Sequence, residues 1–391
     1  MENVINTLYV QNFKSIKSAV IHPRRVNLII GNPNSGKSTL LEAMSLLGSF
    51  PYEQRKKFMR SFIRYEKPAQ LFHDSDTAAA IRVETDRDVC LLGQHPSRKH
   101  YQYGVFSQAA YRLLRVQLGL PLLEGRGKAR TADDAQLLDR LPGHLTAAGP
   151  LPEPGCLYTE IDRTGRTGRP GLASPPGWQP RPVKPYSFRR ELRLNQRQPE
   201  PALYPPHGSN LVQVLEAYPA LRHEFAQLFE EHSLRLRVRP DAGRCEVMKD
   251  LDGLSFRYPY SSSGETLQRF GFYLAAMASN HQTVILFDEP EAHSYPAYVR
   301  QLAERMATQQ ANQFFITTHS PFFFNEVLEN MVPYENRVPE LAVFLTYYQD
   351  YQTKFRQLSD EEVRSIRRDS LDIFDNLHQL EQETVLRKMK V

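Results

Sequence analysis

The sequence has few cysteines and no long apolar run. Its 391 residues include three cysteines, Cys90, Cys156 and Cys245, which lie far apart and not in CxxC spacing. This pattern argues against a disulfide framework and a zinc site, and it fits a reducing compartment. Apolar runs such as 314–316 and 322–324 are far shorter than the roughly 20 residues that cross a bilayer. Because the N-terminus also lacks a secretory signal pattern, we predict a soluble, cytoplasmic protein without membrane contact.

Neither sign of charge dominates the chain, since 49 Lys and Arg residues stand against 44 Asp and Glu residues. This balance permits an acidic partner but does not require one. Half of the 28 prolines, 14, fall between residues 141 and 210. We interpret 141–208 as a partly irregular, surface-lying insertion, because proline interrupts regular structure. The alternative is a basic surface for DNA, RNA or a protein, formed by Arg163, Arg166, Arg169, Arg181, Arg189, Arg190 and Arg193.

The hydrophobic pattern predicts an α/β fold with a mixed or parallel central sheet, an antiparallel β subdomain and a helical subdomain. We divide the chain into four parts. Residues 1–140 form an N-terminal lobe with a buried strand at 25–30 and antiparallel strands at 80–106, and 141–208 form the insertion. Residues 209–325 form a C-terminal lobe in which helices alternate with buried strands, and 326–391 form a hairpin and a helix.

The segment "GNPNSGKS" (31–38) fits the phosphate-binding pattern GxxxxGK[ST] and lies between a buried strand and an apolar-faced helix. In such a P-loop the backbone amides and the helix N-terminus bind phosphate oxygens. Lys37 is predicted to reach the β and γ phosphates, and Ser38 to help hold Mg²⁺. The sequence therefore predicts ATP and Mg²⁺ as ligands. The predicted nucleotide-binding residues are Asn32, Asn34, Ser35, Gly36, Lys37, Ser38 and Thr39.

Two further buried strands end in polar residues. "VILFDEPE" ends in Asp288 and Glu289, and "FFITTHS" ends in His319 about 30 residues later. We predict that Asp288 binds Mg²⁺, that Glu289 orients or deprotonates the attacking water, and that His319 senses the γ-phosphate. Without the P-loop, the acids would be more typical of a turn or a helix N-cap, and the histidine would be more typical of a polar strand boundary.

The segment "SSSGE" (261–265) has the composition of a solvated turn. It starts a helix about 20 residues before the acidic strand, so it can present amides, a hydroxyl and the helix dipole to a phosphate. Because the P-loop already covers the phosphates within its own chain, a second such device suggests that the nucleotide lies between two chains.

In this order the motifs resemble the ABC-type ATPase head of SMC, RecF, RecN and OLD-like proteins, over about residues 4–48 and 205–325. The resemblance implies two heads joined head to tail around ATP, with a signature formed by Ser262, Ser263, Gly264 and Glu265. It also implies a D-loop around His293 and suggests Gln70 as the Q-loop glutamine near Mg²⁺. The sequence departs from the signature at Ser261, where the family has leucine, and at Ser263, where it has the first glycine.

Among these families the chain is most similar to the stand-alone bacterial AAA-family ATPases of PARIS, Septu and retron defence systems. That similarity implies an ATPase that forms a homodimer or higher homo-oligomer and acts as sensor or scaffold for a separately encoded nuclease or toxin. DNA or a phage protein is an alternative partner. Two other functions stay open: a RecF-like DNA-binding repair ATPase, and an OLD-like nuclease component.

Overall fold

The computed structural model describes residues 3–53, 57–95, 100–121, 131–148, 155–167, 173–175, 177–190, 198, 200–369, 372–377 and 381. Its strands are β1 (Leu8–Phe13), β2 (Ile16–Ile21), β3 (Val26–Gly31), β4 (Ile81–Thr85), β5 (Asp88–Gln94), β6 (His100–Ser107), β7 (Cys156–Asp162), β8 (Ala173–Ser174), β9 (Val183–Tyr186), β10 (Arg235–Arg239), β11 (Arg244–Leu251), β12 (Leu254–Pro259), β13 (Val284–Asp288), β14 (Gln313–Thr317), β15 (Leu341–Gln349) and β16 (Gln352–Gln357). Its helices are α1 (Lys37–Gly48), α2 (Gln108–Gln117), α3 (Thr131–Ala148), α4 (Leu211–Ala217), α5 (Pro219–Glu230), α6 (Glu265–Ser279), α7 (Pro296–Thr308), α8 (Pro321–Met331) and α9 (Asp360–Arg368). Within these ranges, no helix has both the length and the apolarity to cross a membrane.

A six-stranded sheet in the order β16-β15-β3-β14-β13-β9 forms the centre of the fold. Its strands from β15 to β9 run parallel, and only β16 is antiparallel. β3 and β14 are buried along their whole length because helices cover both faces of the sheet, which explains their continuous apolar sequences. The parallel register brings the carboxyl ends of β3, β14 and β13 to one edge of the sheet.

A seven-stranded antiparallel sheet, β2-β1-β4-β5-β6-β7-β8, is the second layer. The apolar side of α1 lies in one core with residues of both large sheets, such as Leu40 with Val83 and Phe315. The outer face of the seven-stranded sheet packs on α2 and α3. Helix α1 is therefore held between two sheets, which fixes the direction in which its N-terminus points.

Helices α4 to α8 cover the other face of the central sheet and share a core with it. The antiparallel sheet β10-β11-β12 packs on this helical layer through residues such as Val247 and leads into the turn before α6. The mixed α/β architecture with an antiparallel β subdomain and a helical subdomain is thus confirmed.

Residues 141–208 contribute more regular structure than their composition predicts. α3 crosses residue 141, β7 pairs with β6, and β9 pairs with β13 in the central sheet. Pro185 is compatible with β9 because this strand lies at the sheet edge, where a missing N–H breaks no ladder. The C-terminal hairpin is formed by β15 and β16 and is followed by α9, and because β15 pairs with β3, the hairpin belongs to the central sheet.

Candidate active site

The P-loop joins β3 to α1 and is supported by the hairpin β15–β16. Gly36 has a φ of 100°, and a Cβ there would lie 2.2 Å from Thr353 Oγ1. A Cβ on Gly31 would lie 2.2 Å from the Thr346 carbonyl oxygen. The Ser35 and Thr346 hydroxyls are hydrogen-bonded at 2.5 Å. The glycines are therefore required both by backbone conformation and by the closeness of the hairpin.

Lys37 is the first residue of α1, and its side chain is buried against the P-loop. Its Nζ donates hydrogen bonds to the carbonyls of Gly31 and Asn32, both at 2.9 Å. Burial lowers the pKa of Lys37 to about 8, against the opposing effect of the Glu289 and Asp288 carboxylates. The ammonium group thus occupies a partly desolvated position, where an anionic phosphate interacts with it more strongly than in water.

Three other predicted nucleotide-binding residues, Asn32, Asn34 and Thr39, lie in the P-loop and in the first turn of α1. Asn34 is exposed with a φ of 60°, and Thr39 is half-buried in the first turn of α1. Asn32 is half-buried, and its Nδ2 donates to Glu381 Oε1 at 2.8 Å. Glu381 therefore contacts the phosphate-binding loop.

The two predicted magnesium ligands are adjacent. Ser38 Oγ donates to Asp288 Oδ1 at 2.9 Å, and Thr317 Oγ1 donates to the same oxygen at 2.5 Å. The chemistry of this donor set fits Mg²⁺, which prefers oxygen ligands and is commonly held by one or two carboxylates plus substrate phosphates. No group of three or more His, Cys, Asp or Glu residues able to hold a metal occurs in the described ranges.

Glu289 and His319 face each other at the ends of β13 and β14. His319 Nε2 lies 3.2 Å from Glu289 Oε1, and the two side chains are 40% and 44% exposed, respectively. Glu289 adopts a left-handed φ of 49°, and its amide donates to the Thr317 carbonyl at 3.1 Å. Burial and then Lys37 lower the pKa of His319, while Glu289 and Asp288 oppose this shift. The imidazole is therefore biased towards its neutral form.

The signature segment forms a 3₁₀ turn followed by α6. Ser263 is buried, and its Oγ donates to the Tyr260 carbonyl at 2.7 Å, while Ser262 and Gly264 are exposed. Ser263 has φ −71° and ψ 167°, an extended conformation that needs no glycine, which accounts for this departure from the family signature. Glu265 pairs with Arg269 at 3.2 Å.

Among the described residues, neither the predicted signature nor Gln70 is hydrogen-bonded to the P-loop of the same chain. Within the described ranges, no hydrogen bond or ion pair joins 261–265 to 31–39, Asp288, Glu289 or His319. Gln70 Oε1 accepts from the backbone amides of Glu66 and Lys67 at 2.7 and 3.1 Å, so this oxygen stabilises its own turn. His293 is exposed and has a φ of 56°.

Sequence reasoning missed an ionic cluster beside the predicted magnesium ligands. Glu42 on α1 is buried, binds Lys14 Nζ, and accepts from Arg64 Nε at 3.0 Å. Glu42 and Arg64 line a cavity of about 230 Å³ together with Ser38 and Asp288. An acidic residue inside the apolar pattern of α1 was the only local signal for this cluster.

The arginines of 141–208 do not share one environment. Arg163, Arg166, Arg189 and Arg190 are exposed, whereas Arg181 Nε lies 3.7 Å from Asp88 Oδ2. Arg169 and Arg193 lie outside the described residues.

Two segments of the chain match family models. Residues 4–86 match the model described as "AAA ATPase domain". Residues 186–325 match the model described as "AAA domain, putative AbiEii toxin, Type IV TA system". A search of the curated proteins finds no match.

The structure is also similar to solved structures. One is "Crystal structure of the SmcHead bound to the C-winged helix domain of ScpA", at 15% identity and TM-score 0.45, covering 93% of this chain and 99% of the other. Another is "SMC head domain from Thermotoga maritima", at 12% identity and TM-score 0.37, covering 91% of this chain and 99% of the other. The family matches include the P-loop and the strands that carry Asp288 and His319, so the chain contains segments of AAA-family ATPase type.

Proposed function

We propose that the protein binds ATP with Mg²⁺ and hydrolyses it, and that ATP joins two copies of the chain. The observation that carries this proposal is the convergence, at one sheet edge, of the Ser38–Asp288–Thr317 network and the Glu289–His319 pair. The AAA-type segments support the reaction class.

Each residue has a distinct role in this proposal. Lys37 and the P-loop amides bind the phosphates, and Ser38 and Asp288 hold Mg²⁺, which supplies positive charge to the phosphate oxygens. Glu289 orients a water molecule and accepts its proton. His319, biased towards the neutral form, carries a single N–H, which faces Glu289 from Nε2 in the free protein and donates to the γ-phosphate when ATP is bound.

Dimerisation is supported by the exposure of Ser262 and Gly264, which leaves both residues accessible to a second copy. In the proposed dimer these residues contact the ATP held by Lys37 of the second copy. We further propose that the dimer acts as a sensor or scaffold for a separately encoded effector in anti-phage defence. The resemblance to stand-alone defence ATPases supports this role, and the family description that names a toxin of a type IV TA system is compatible with it.

A Glu289→Gln variant tests the reaction. It should retain ATP binding, because Lys37 and the P-loop are unchanged. Its phosphate release should be slower by about 100-fold or more, since an amide is a far weaker base than a carboxylate. ATP binding is measured by calorimetry and turnover by phosphate release.

Glu361→Gln is the matched control, because Glu361 is an exposed glutamate on α9. It should hydrolyse ATP at the wild-type rate. Equal turnover of the Glu289→Gln variant and the wild type would remove Glu289 from the proposed role.

A further inference from the structure

Glu291 is a buried acid that the reaction described above does not use. It lies two residues after Glu289 and is only 8% exposed. Its Oε1 accepts a hydrogen bond from Thr318 Oγ1 at 2.5 Å, and its Oε2 is buried and has no hydrogen-bond partner among the described residues. A buried carboxylate that is not fully hydrogen-bonded destabilises the folded protein, so the burial of Glu291 calls for a structural or functional explanation.

Thr318 is the centre of a short chain of contacts around His319. Its hydroxyl accepts from the Ser320 amide at 3.0 Å and donates to Glu291, and its own amide donates to the Ile29 carbonyl at 3.2 Å. The Ser320 hydroxyl caps α8 by accepting from the Phe323 amide at 3.1 Å. The residues on both sides of His319 are therefore fixed, and Glu291 connects them to the loop after β13.

The same loop carries Glu289. The Ala292 amide donates to the Glu289 carbonyl at 3.1 Å, and the Ser294 amide donates to the Glu291 carbonyl at 3.1 Å. By contrast, the side chains of Glu289 and His319 have no hydrogen bond or ion pair in the described part of the chain except with each other. The distance between these two side chains therefore depends on the relative position of the loop after β13, which carries Glu289, and the loop after β14, which carries His319.

We propose that Glu291, through Thr318, is a positioning residue that couples the Glu289 loop to the His319 loop and so maintains the contact between these two side chains. This inference rests on the proposed function for its consequence in catalysis, but the coupling itself is a property of the protein without nucleotide. Glu291 touches neither water nor phosphate in this role.

The protonation of Glu291 supports the geometry. Burial raises the pKa of Glu291 to about 7, against the opposing effects of the Thr318 hydroxyl and of the backbone amides of Glu291 and His319. A neutral acid accepts the Thr318 hydrogen bond without a buried charge. Glutamine at this position keeps an acceptor oxygen for the same bond.

Glu246 provides a matched control. It is also 8% exposed, and its buried Oε2 also has no hydrogen-bond partner in the described part of the chain, but it lies on β11 and pairs with Arg244 at 3.0 Å. A substitution there removes a comparable buried acid without touching the two catalytic loops.

Steady-state ATP hydrolysis is the first measurement. Glu291→Ala and Thr318→Val should each lower kcat by roughly 10-fold to 100-fold, because small displacements of catalytic groups have effects of this size. KM for ATP should change by less than about twofold, since the P-loop is unchanged. Glu291→Gln and Thr318→Ser should restore most of kcat, and the double variant Glu291→Ala with Thr318→Val should be no slower than either single variant.

The second measurement needs no activity. In ¹⁵N-histidine NMR, with His319 assigned by Asn substitution, Glu289→Gln should lower the pKa of His319, because Glu289 raises it. This effect should disappear in the Glu291→Ala or Thr318→Val background and persist in the Glu291→Gln and Glu246→Ala backgrounds. If the wild type hydrolysed no ATP, the proposed function would fail, and this titration would still decide the coupling.

The proposal is overturned if the Glu289→Gln effect on His319 persists in the Thr318→Val background. It is also overturned if Glu246→Ala lowers kcat as much as Glu291→Ala among variants that thermal unfolding shows to be folded. Thr318→Val has nearly the shape of threonine, so it tests the hydrogen bond even if Glu291→Ala does not fold.

Discussion

At the scale of single residues, the buried acid Glu291 makes the stability of the protein depend on pH. Its pKa rises from 4.5 in the unfolded chain to about 7 in the folded one, so its stabilising contribution is complete below 4.5 and lost as pH rises through 7. A shift of this size corresponds to about 3 kcal/mol. Relative to the wild type, Glu291→Gln should therefore gain up to about 3 kcal/mol of unfolding free energy between pH 4.5 and pH 8.

Urea unfolding of both proteins at the two pH values measures this gain. The quantity compared is the difference in unfolding free energy between Glu291→Gln and the wild type, taken at each pH. Groups that titrate in both proteins cancel in this difference. A stability difference between Glu291→Gln and the wild type that is equal at both pH values would contradict the expectation.

At the scale of elements, the hairpin β15–β16 determines the shape of the P-loop. Gly36→Ala introduces a Cβ at 2.2 Å from Thr353 Oγ1 in addition to a left-handed φ. We expect this variant to lose ATP binding and to be destabilised by about 2 kcal/mol or more, because it combines overpacking with backbone strain. Thermal unfolding and calorimetry with ATP measure the two effects.

Gly253→Ala separates backbone strain from overpacking. Gly253 also has a positive φ, 79°, but nothing lies within 4 Å of a Cβ there. This variant should lose only about 1 kcal/mol and keep ATP binding. Thr353→Ala should recover part of the stability of Gly36→Ala. If Gly36→Ala and Gly253→Ala lost equal stability, and if Thr353→Ala restored none of the stability of Gly36→Ala, contact with the hairpin would not be the cause of the destabilisation.

At the scale of the whole molecule, the proposed dimer depends on an exposed turn. Ser262→Arg places a long cation on the proposed contact with the second copy, while the P-loop of its own chain is unchanged. In the presence of ATP, light scattering should show dimers of the Glu289→Gln protein and monomers of the protein that carries both Glu289→Gln and Ser262→Arg. Each chain should bind ATP equally well in the two proteins.

Ser255→Arg is the control for this experiment, because Ser255 is exposed on β12, seven residues earlier in the chain. It should still dimerise. Persistent dimers in the Glu289→Gln background, together with normal turnover when Ser262→Arg is the only substitution, would show that the turn has no part in the proposed dimer. DNA affinity that falls steeply with salt would instead favour the RecF-like alternative.

Local patterns in the sequence were sufficient for the elements that consist of one contiguous segment. The P-loop between β3 and α1, the acids after β13 and the histidine after β14 are each signalled by an apolar strand and the residues that follow it. Local patterns were not sufficient for Gln70, which stays a prediction, because only the tertiary contacts show that its Oε1 is bonded within its own turn. The proline-rich composition favoured irregular structure where β9 lies, because composition alone does not show that a strand will be an edge strand, which tolerates proline.

The sequence by itself determined the α/β class, the P-loop and the polar ends of β13 and β14, because these depend on the periodicity and identity of neighbouring residues. Only the tertiary structure decided that β15 pairs with β3, that Thr353 limits residue 36 to glycine, that Thr317 shares Asp288 with Ser38, and that Glu291 reaches Thr318. The physical reason is that these contacts join residues from 27 to 317 positions apart. Their proximity is a consequence of how the sheets and helices pack, which no local pattern encodes.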